Sequence, residues 1–187
     1  MNIKNNKKSQ ISIEKIKKSI SYLLKNDGYE SLTITNICKN AHINRTTFYA
    51  HFDSVNDALY QICEAYIVAI YDIFMNETLP YKARVKKSIE IIKKDLDFFS
   101  YIFTNVSNLE LKVIEMIENS NNNSLVHHKN LEKAKLSLAY IISGFVGIAK
   151  IYFLDISQNK TEKISVDDFA DLICNVVNKN NPYFIIK

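Results

Sequence analysis

The residues whose types could do chemistry crowd into one short stretch, Asn44-Arg45-Thr46-Thr47-Phe48-Tyr49-Ala50-His51-Phe52. Phe48 and Phe52 stand four apart, so on a helix they share one face and belong to a core. That leaves Arg45, Thr46, Thr47, Tyr49 and His51 for the outside, mostly near the helix start. Arg45 is one of two arginines among 24 basic residues. A planar guanidinium pairs bidentately with guanine O6 and N7, which the point charge of a lysine does less specifically. Threonine, tyrosine and histidine are short or rigid donors suited to phosphates, and a threonine methyl can also touch thymine. The sequence holds no Ser/His/Asp order, glycine-rich phosphate loop or His-Glu-x-x-His run, so no enzyme is expected.

Charge is placed to match. The net charge is only +4, but residues 1–52 carry nine Lys or Arg against three acids. The remaining 135 residues hold fifteen against seventeen. A basic end on a nearly neutral body implies a polyanion partner for the first third alone.

The elements that must position Arg45 follow from period and caps. Ile13, Ile16, Ile20, Leu23 and Leu24 recur at helical spacing, which predicts a helix from about Ser12 to Asn26, stopped by Gly28. Thr33 starts a short helix with Ile37, Cys38 and Ala41 inward, and Asn44 caps the next. Two helices of about eight residues joined by a turn of about three have the dimensions of a helix-turn-helix.

Downstream, Ser54 caps a longer helix to about Asn76, with Leu59, Ile62, Tyr66, Ile70 and Phe74 inward. Pro80 opens another, with Val85, Ile89, Ile92 and Leu96 inward and Lys82, Arg84, Lys86, Lys87, Lys93 and Lys94 largely outward. An aromatic block at 98–103 precedes a helix from Ser107 to Asn119 through Leu111, Ile114 and Ile117, then the loop 119–124. An apolar helix is expected over about 130–155 and a last one over Ser165–Asn178, where Ser165 and Asp168 form a capping-box-like start. With three glycines, two prolines and no strand-like alternation, the fold is expected to be all-α.

Residues 136–154 are nearly apolar throughout and approach the length of a membrane span. Lys150 interrupts them and Ser137, Ser143, Gly144 and Gly147 dilute them. A helix buried by its own core on one side and by a second subunit on the other reads the same way. No membrane association is expected. Cys38, Cys63 and Cys174 are far apart and odd in number, fitting small hydrophobes in a reducing cytosol. The Lys- and Asn-rich start has no apolar core, so no signal peptide is expected.

The stretch Leu23–Leu59 resembles the DNA-binding domain of the tetracycline-repressor (TetR/AcrR) family. The match runs through Gly28-Tyr29, Leu32-Thr33-Ile34, Ile37-Cys38, Ile43, Thr47-Phe48-Tyr49 and His51-Phe52. Tyr49-x-His51-Phe52 is its most specific element. Three residues depart from the pattern. His42 stands where the turn often has glycine, Asn36 where an acid completes a capping box, and Val55 where many members carry a phosphate-contacting lysine. Lys4, Lys7 and Lys8, on an arm expected to be disordered, would supply the missing backbone anchor.

The resemblance implies a helix-turn-helix domain over residues 1–53 and a helical effector-binding and dimerising domain over 54–187. DNA contacts would come from Thr33, Thr35, Asn36, Asn44, Arg45, Thr46, Thr47, Tyr49 and His51. The partner would be a palindromic double-stranded operator bound by a homodimer, joined through the last two helices (about 130–155 and 165–178). Tyr66, Ile70, Phe74, Phe98, Phe103, Tyr140 and Phe145 would line the pocket of a small apolar or aromatic effector. Effector binding would shift the Ser54–Asn76 helix and weaken operator affinity, as in a ligand-responsive repressor. An activator of the same family, or a metal sensor using His127, His128 and Cys174, is the alternative. No cofactor or resident metal is expected, and the protein would be cytoplasmic, on the bacterial nucleoid when bound to its operator.

Overall fold

The computed structural model describes residues 3–76, 78–119, 131–157 and 164–180, and those residues are all-α. They divide into two compact units, residues 1–65 and 66–187.

In the first unit, α1 (Ile3–Asn26) buries Ile16, Ile20 and Leu23 on one stripe. It starts well before Ser12, because residues 3–26 contain no glycine or proline and a nucleated helix propagates through ordinary polar residues. Lys4, Lys7 and Lys8 therefore belong to a helix, not to a separate arm. Gly28, at φ 74°, turns the chain into a 3-10 turn at Tyr29–Ser31. α2 (Ile34–Ala41) begins where the Thr33 hydroxyl accepts the Asn36 backbone N–H, and α3 (Arg45–Tyr49) where Asn44 accepts that of Thr47. α3 is one turn shorter than expected, and Phe52 is buried just beyond its end.

The helix pair is held from below. Phe48, Ile16, Ile20 and Ile37 are wholly buried, and the buried Ser19 hydroxyl donates to the Ile37 carbonyl at 3.0 Å. Cys38 and Cys63 are buried thiols, as their apolar settings predict. α4 (Val55–Met75) opens with a reciprocal cap. Ser54 Oγ accepts the Asp57 N–H at 3.0 Å, and the Asp57 carboxylate accepts the Asp53 N–H at 2.9 Å.

In the second unit, α5 (Tyr81–Lys94) buries Val85, Ile89 and Ile92 and packs on α9 (Val166–Asn180). Two sequence expectations fail here. α5 ends at Lys94 because Asp95 leaves helical geometry, so half-buried Leu96 opens α6 (Leu96–Asn105) instead of closing α5. Arg84 is also buried, at 8% exposure, and does not face solvent with its lysine neighbours.

α6 buries Phe98, Phe99, Ile102 and Phe103. Among the described side chains of α7 (Leu109–Asn119), Leu109 and Met116 are buried, seven apart on one face, and Leu111 is 64% exposed, while that of Ile117 lies outside the described ones. The apolar period admitted two registers, and a residue two positions from Leu109 falls on the far side of the helix. α8 (Leu131–Ser157) packs on α6 and α7 and buries Ile142, Val146, Ala149, Tyr152 and Phe153, with Tyr152 stacked on Phe169 of α9 at 4.2 Å. Within it, Ala139–Ser157 is apolar and long enough to cross a membrane by composition alone, with a mean hydropathy of 1.6. α9 starts as expected: Ser165 Oγ accepts the Asp168 N–H at 3.1 Å and donates to its carboxylate at 2.7 Å.

Candidate nucleic-acid interface

The turn between α2 and α3 fixes the presentation of Arg45. His42 sits at φ 53°, ψ 48°, the left-handed conformation expected of the residue replacing glycine. Its N–H donates to the Lys39 carbonyl at 3.3 Å, and the Ile43 N–H reaches back to the Cys38 carbonyl at 3.0 Å. That pair of bonds is a Schellman closure, which satisfies the last carbonyls of α2 while reversing the chain.

Beyond the turn, Phe48 packs against Phe52 at a centroid distance of 5.7 Å and meets the Tyr49 ring edge-on at 5.9 Å. With the phenylalanines anchored, Arg45 and Thr46 are exposed, Tyr49 is 54% exposed, and Thr47 and His51 are half-buried. Arg45 Nη2 donates to Thr35 Oγ1 at 2.6 Å, so α2 props the guanidinium of α3. Thr33, Thr35, Asn36 and Asn44 are all exposed on the same pair of helices.

Several of these side chains also hold the local structure. Asn44 Oδ1 accepts from both the N–H and the hydroxyl of Thr47, at 2.6 and 2.8 Å. Asn36 Nδ2 donates to the Ser31 carbonyl at 2.9 Å, which ties the start of α2 to the preceding turn where a capping acid is absent. Thr46 and Tyr49 carry no such duty in this geometry. Burial pushes the Cys38 thiol up against the opposing pull of the Arg45 charge, so it stays protonated behind the exposed face of α3.

Five of the seven expected effector residues fall into two aromatic groups in the second unit. Tyr66 lies 5.6 Å from Phe98 and 4.8 Å from Phe99, and its hydroxyl donates to Asp95 Oδ2 at 2.6 Å. From there Phe99 meets Phe103, and Phe103 stacks on Phe153 at 6.3 Å. Separately, Phe74 contacts Tyr81 at 6.1 Å and Phe145 at 5.9 Å. Ile70 is half-buried on α4, and Tyr140 lies apart, 62% exposed on α8. Sequence reasoning missed Tyr81 and Arg84. The second could have been suspected because it is the only arginine besides Arg45 in a chain that otherwise uses lysine.

His127 and His128 lie outside the described residues. Among the described residues no group of three or more His, Cys, Asp or Glu is placed to hold a metal ion.

No protein-family model matches the sequence, and no curated protein matches it either. The fold, however, is known. The chain is similar to the solved structure of the dihydroxyacetone kinase operon activator DhaS, with a TM-score of 0.61 over 88% of this chain and 93% of that one. Sequence identity between the two is 17%, so the likeness is one of architecture.

Proposed function

We propose that this chain is a dimeric, sequence-specific DNA-binding transcription regulator of the tetracycline-repressor type, answering to a small ligand. The observation that carries the reading is the outer face of α3. Arg45, Thr46 and Tyr49 stand exposed on a helix pinned by Phe48 and by Phe52 just past its end, beyond a turn closed by the left-handed His42. A helix presented this way delivers side chains to base edges in the major groove, with Arg45 reading guanine and Tyr49 holding a phosphate. The basic balance of residues 1–52 supplies the sequence-independent attraction, and Lys7 and Lys8 extend it as exposed residues of α1. The architecture shared with DhaS, an operon activator by name, supports the same reading.

A single helix-turn-helix makes few base contacts, so the protein would bind as a homodimer to a palindromic operator with half-sites about one helical turn apart. In this reading residues 1–53 bind DNA and 54–187 dimerise and take the ligand. Ligand binding shifts α4, respaces the two reading helices and lowers operator affinity, a population shift between two spacings.

A mobility-shift assay on the DNA upstream of the protein's own gene tests the core claim. A discrete complex is expected, weakened by Arg45→Ala and by rising salt. Binding that ignores the Arg45 substitution would remove α3 as the reader. The name of DhaS favours a second reading, activation in place of repression. In vitro transcription from the bound promoter separates them, since added protein lowers the transcript in one case and raises it in the other.

A further inference from the structure

Arg84 is a cation in the second unit that its own surroundings leave half-satisfied. It stands on the first turn of α5 at 8% exposure. Its Nη1 donates to the Phe74 carbonyl at 2.8 Å, one of the last carbonyls of α4, and its guanidinium carbon lies 5.7 Å from the Tyr81 ring centroid. Among the described residues the buried Nε donates to nothing and Arg84 forms no ion pair. Buried donors are normally paired, and a buried guanidinium is normally matched by an acid. The neighbourhood is aromatic instead. Phe74 touches both Tyr81 and Phe145, and all three rings are half-buried, not sealed.

Nε and the outer amino group of a guanidinium form two parallel donors that fit the two oxygens of a carboxylate. We propose that Arg84 receives the acid group of the effector: the ligand is a small organic acid whose carboxylate takes the Nε edge and whose apolar or aromatic body lies against Phe74, Tyr81 and Phe145. The proposal rests on the ligand-responsive reading above and narrows it from an apolar ligand to an amphipathic anion. Burial, with Cys174 adding to it and Arg84 opposing, pushes the Tyr81 hydroxyl up to about 12, so it remains a neutral donor beside the acid. Because Arg84 also holds the Phe74 carbonyl, an acid that draws on the guanidinium acts directly on the last turn of α4.

Calorimetric titration of the full chain with benzoate, phenylacetate and 3-phenylpropionate, each beside its primary amide, tests this. At least one acid should bind saturably and about tenfold or more tighter than its amide, the worth of a charge-assisted pair. Arg84→Lys keeps the charge but loses the fork, and should reduce that preference about tenfold while the melting temperature shows a folded chain. Phe145→Ala should weaken acid and amide alike. If no acid outbinds its amide, or if Arg84→Lys binds the acid as the parent does, the assignment is overturned. Operator binding is measured separately, by mobility shift. An acid that binds through Arg84 yet leaves operator affinity unchanged keeps the site and removes the ligand-responsive reading. Acids that fail to bind while the operator complex forms remove the site alone.

Discussion

Thr35 fixes where the Arg45 guanidinium starts from, and the Phe48 anchor fixes the helix that carries it. Two substitutions on α3 therefore have different signatures. Arg45→Ala should cost about 1–3 kcal/mol on the operator and relax preference at one base position. Tyr49→Phe should lower affinity by about 1 kcal/mol for all sequences alike, because a phosphate contact carries no base identity. Competition mobility shifts with operators varied one position at a time check both. His42 tells the same story for stability. A non-glycine residue held in the left-handed region costs about 1–2 kcal/mol, part of which glycine would return against its greater unfolded entropy. His42→Gly should raise the free energy of unfolding by about 0.5–1 kcal/mol in urea melts, and His42→Val should lower it.

At the scale of elements, caps and turns were legible from sequence because each depends on a few adjacent residues. Thr33, Asn44, Ser54 and Ser165 all receive the backbone N–H groups expected of them. Register was less legible, since α7 offered two apolar faces and only packing chooses between them. Met116→Ala should then cost about 2–5 kcal/mol in thermal or urea unfolding, while Leu111→Ala on the exposed side should stay within about 0.5 kcal/mol. The burial of Arg84 could not be read from the apolar period, as it occupies a helix whose other basic residues reach solvent; only its residue type set it apart. Two of those lysines nonetheless bind α5 to α9. Lys86 contacts Asp167 at 3.1 Å and Lys82 contacts Asp171 at 2.7 Å. The Lys86 hydrogen bond and charge pull the Asp167 carboxyl below its ordinary 3.8, and Asp171 lifts Lys82 above 10.5. A lowered carboxyl stabilises the fold above about pH 4 and loses that contribution as pH falls through its folded value. The raised lysine contributes below about pH 10 and fades as pH rises through its own folded value. Melting temperatures of the parent and Asp167→Asn should therefore differ slightly at neutral pH, as befits a solvent-screened pair, and converge in acid once the Asp167 carboxyl is protonated.

For the whole molecule, the face of α8 turned away from its core sets the remaining test. Leu136 is 70% exposed, Tyr140 62% and Ile151 73%, with Gly144 exposed between them at helical spacing. α9 adds Leu172 at 43%. A Cβ at Gly144 or Gly147 would meet nothing within 4 Å, so this chain's own packing does not require those glycines. A second helix approaching closely along that stripe would require them, which is the arrangement the proposed homodimer needs. Burying one isoleucine is worth about 1.5–3 kcal/mol, and a two-fold interface counts each residue twice. Ile151→Glu should accordingly weaken dimerisation by about 3–6 kcal/mol, or at least a hundredfold, while leaving the protomer folded because the side chain is exposed there. Sedimentation velocity should show the parent as a dimer and the variant as a monomer at micromolar concentration, with operator affinity falling in parallel. If Ile151→Glu sediments as a dimer, α8 is not the interface.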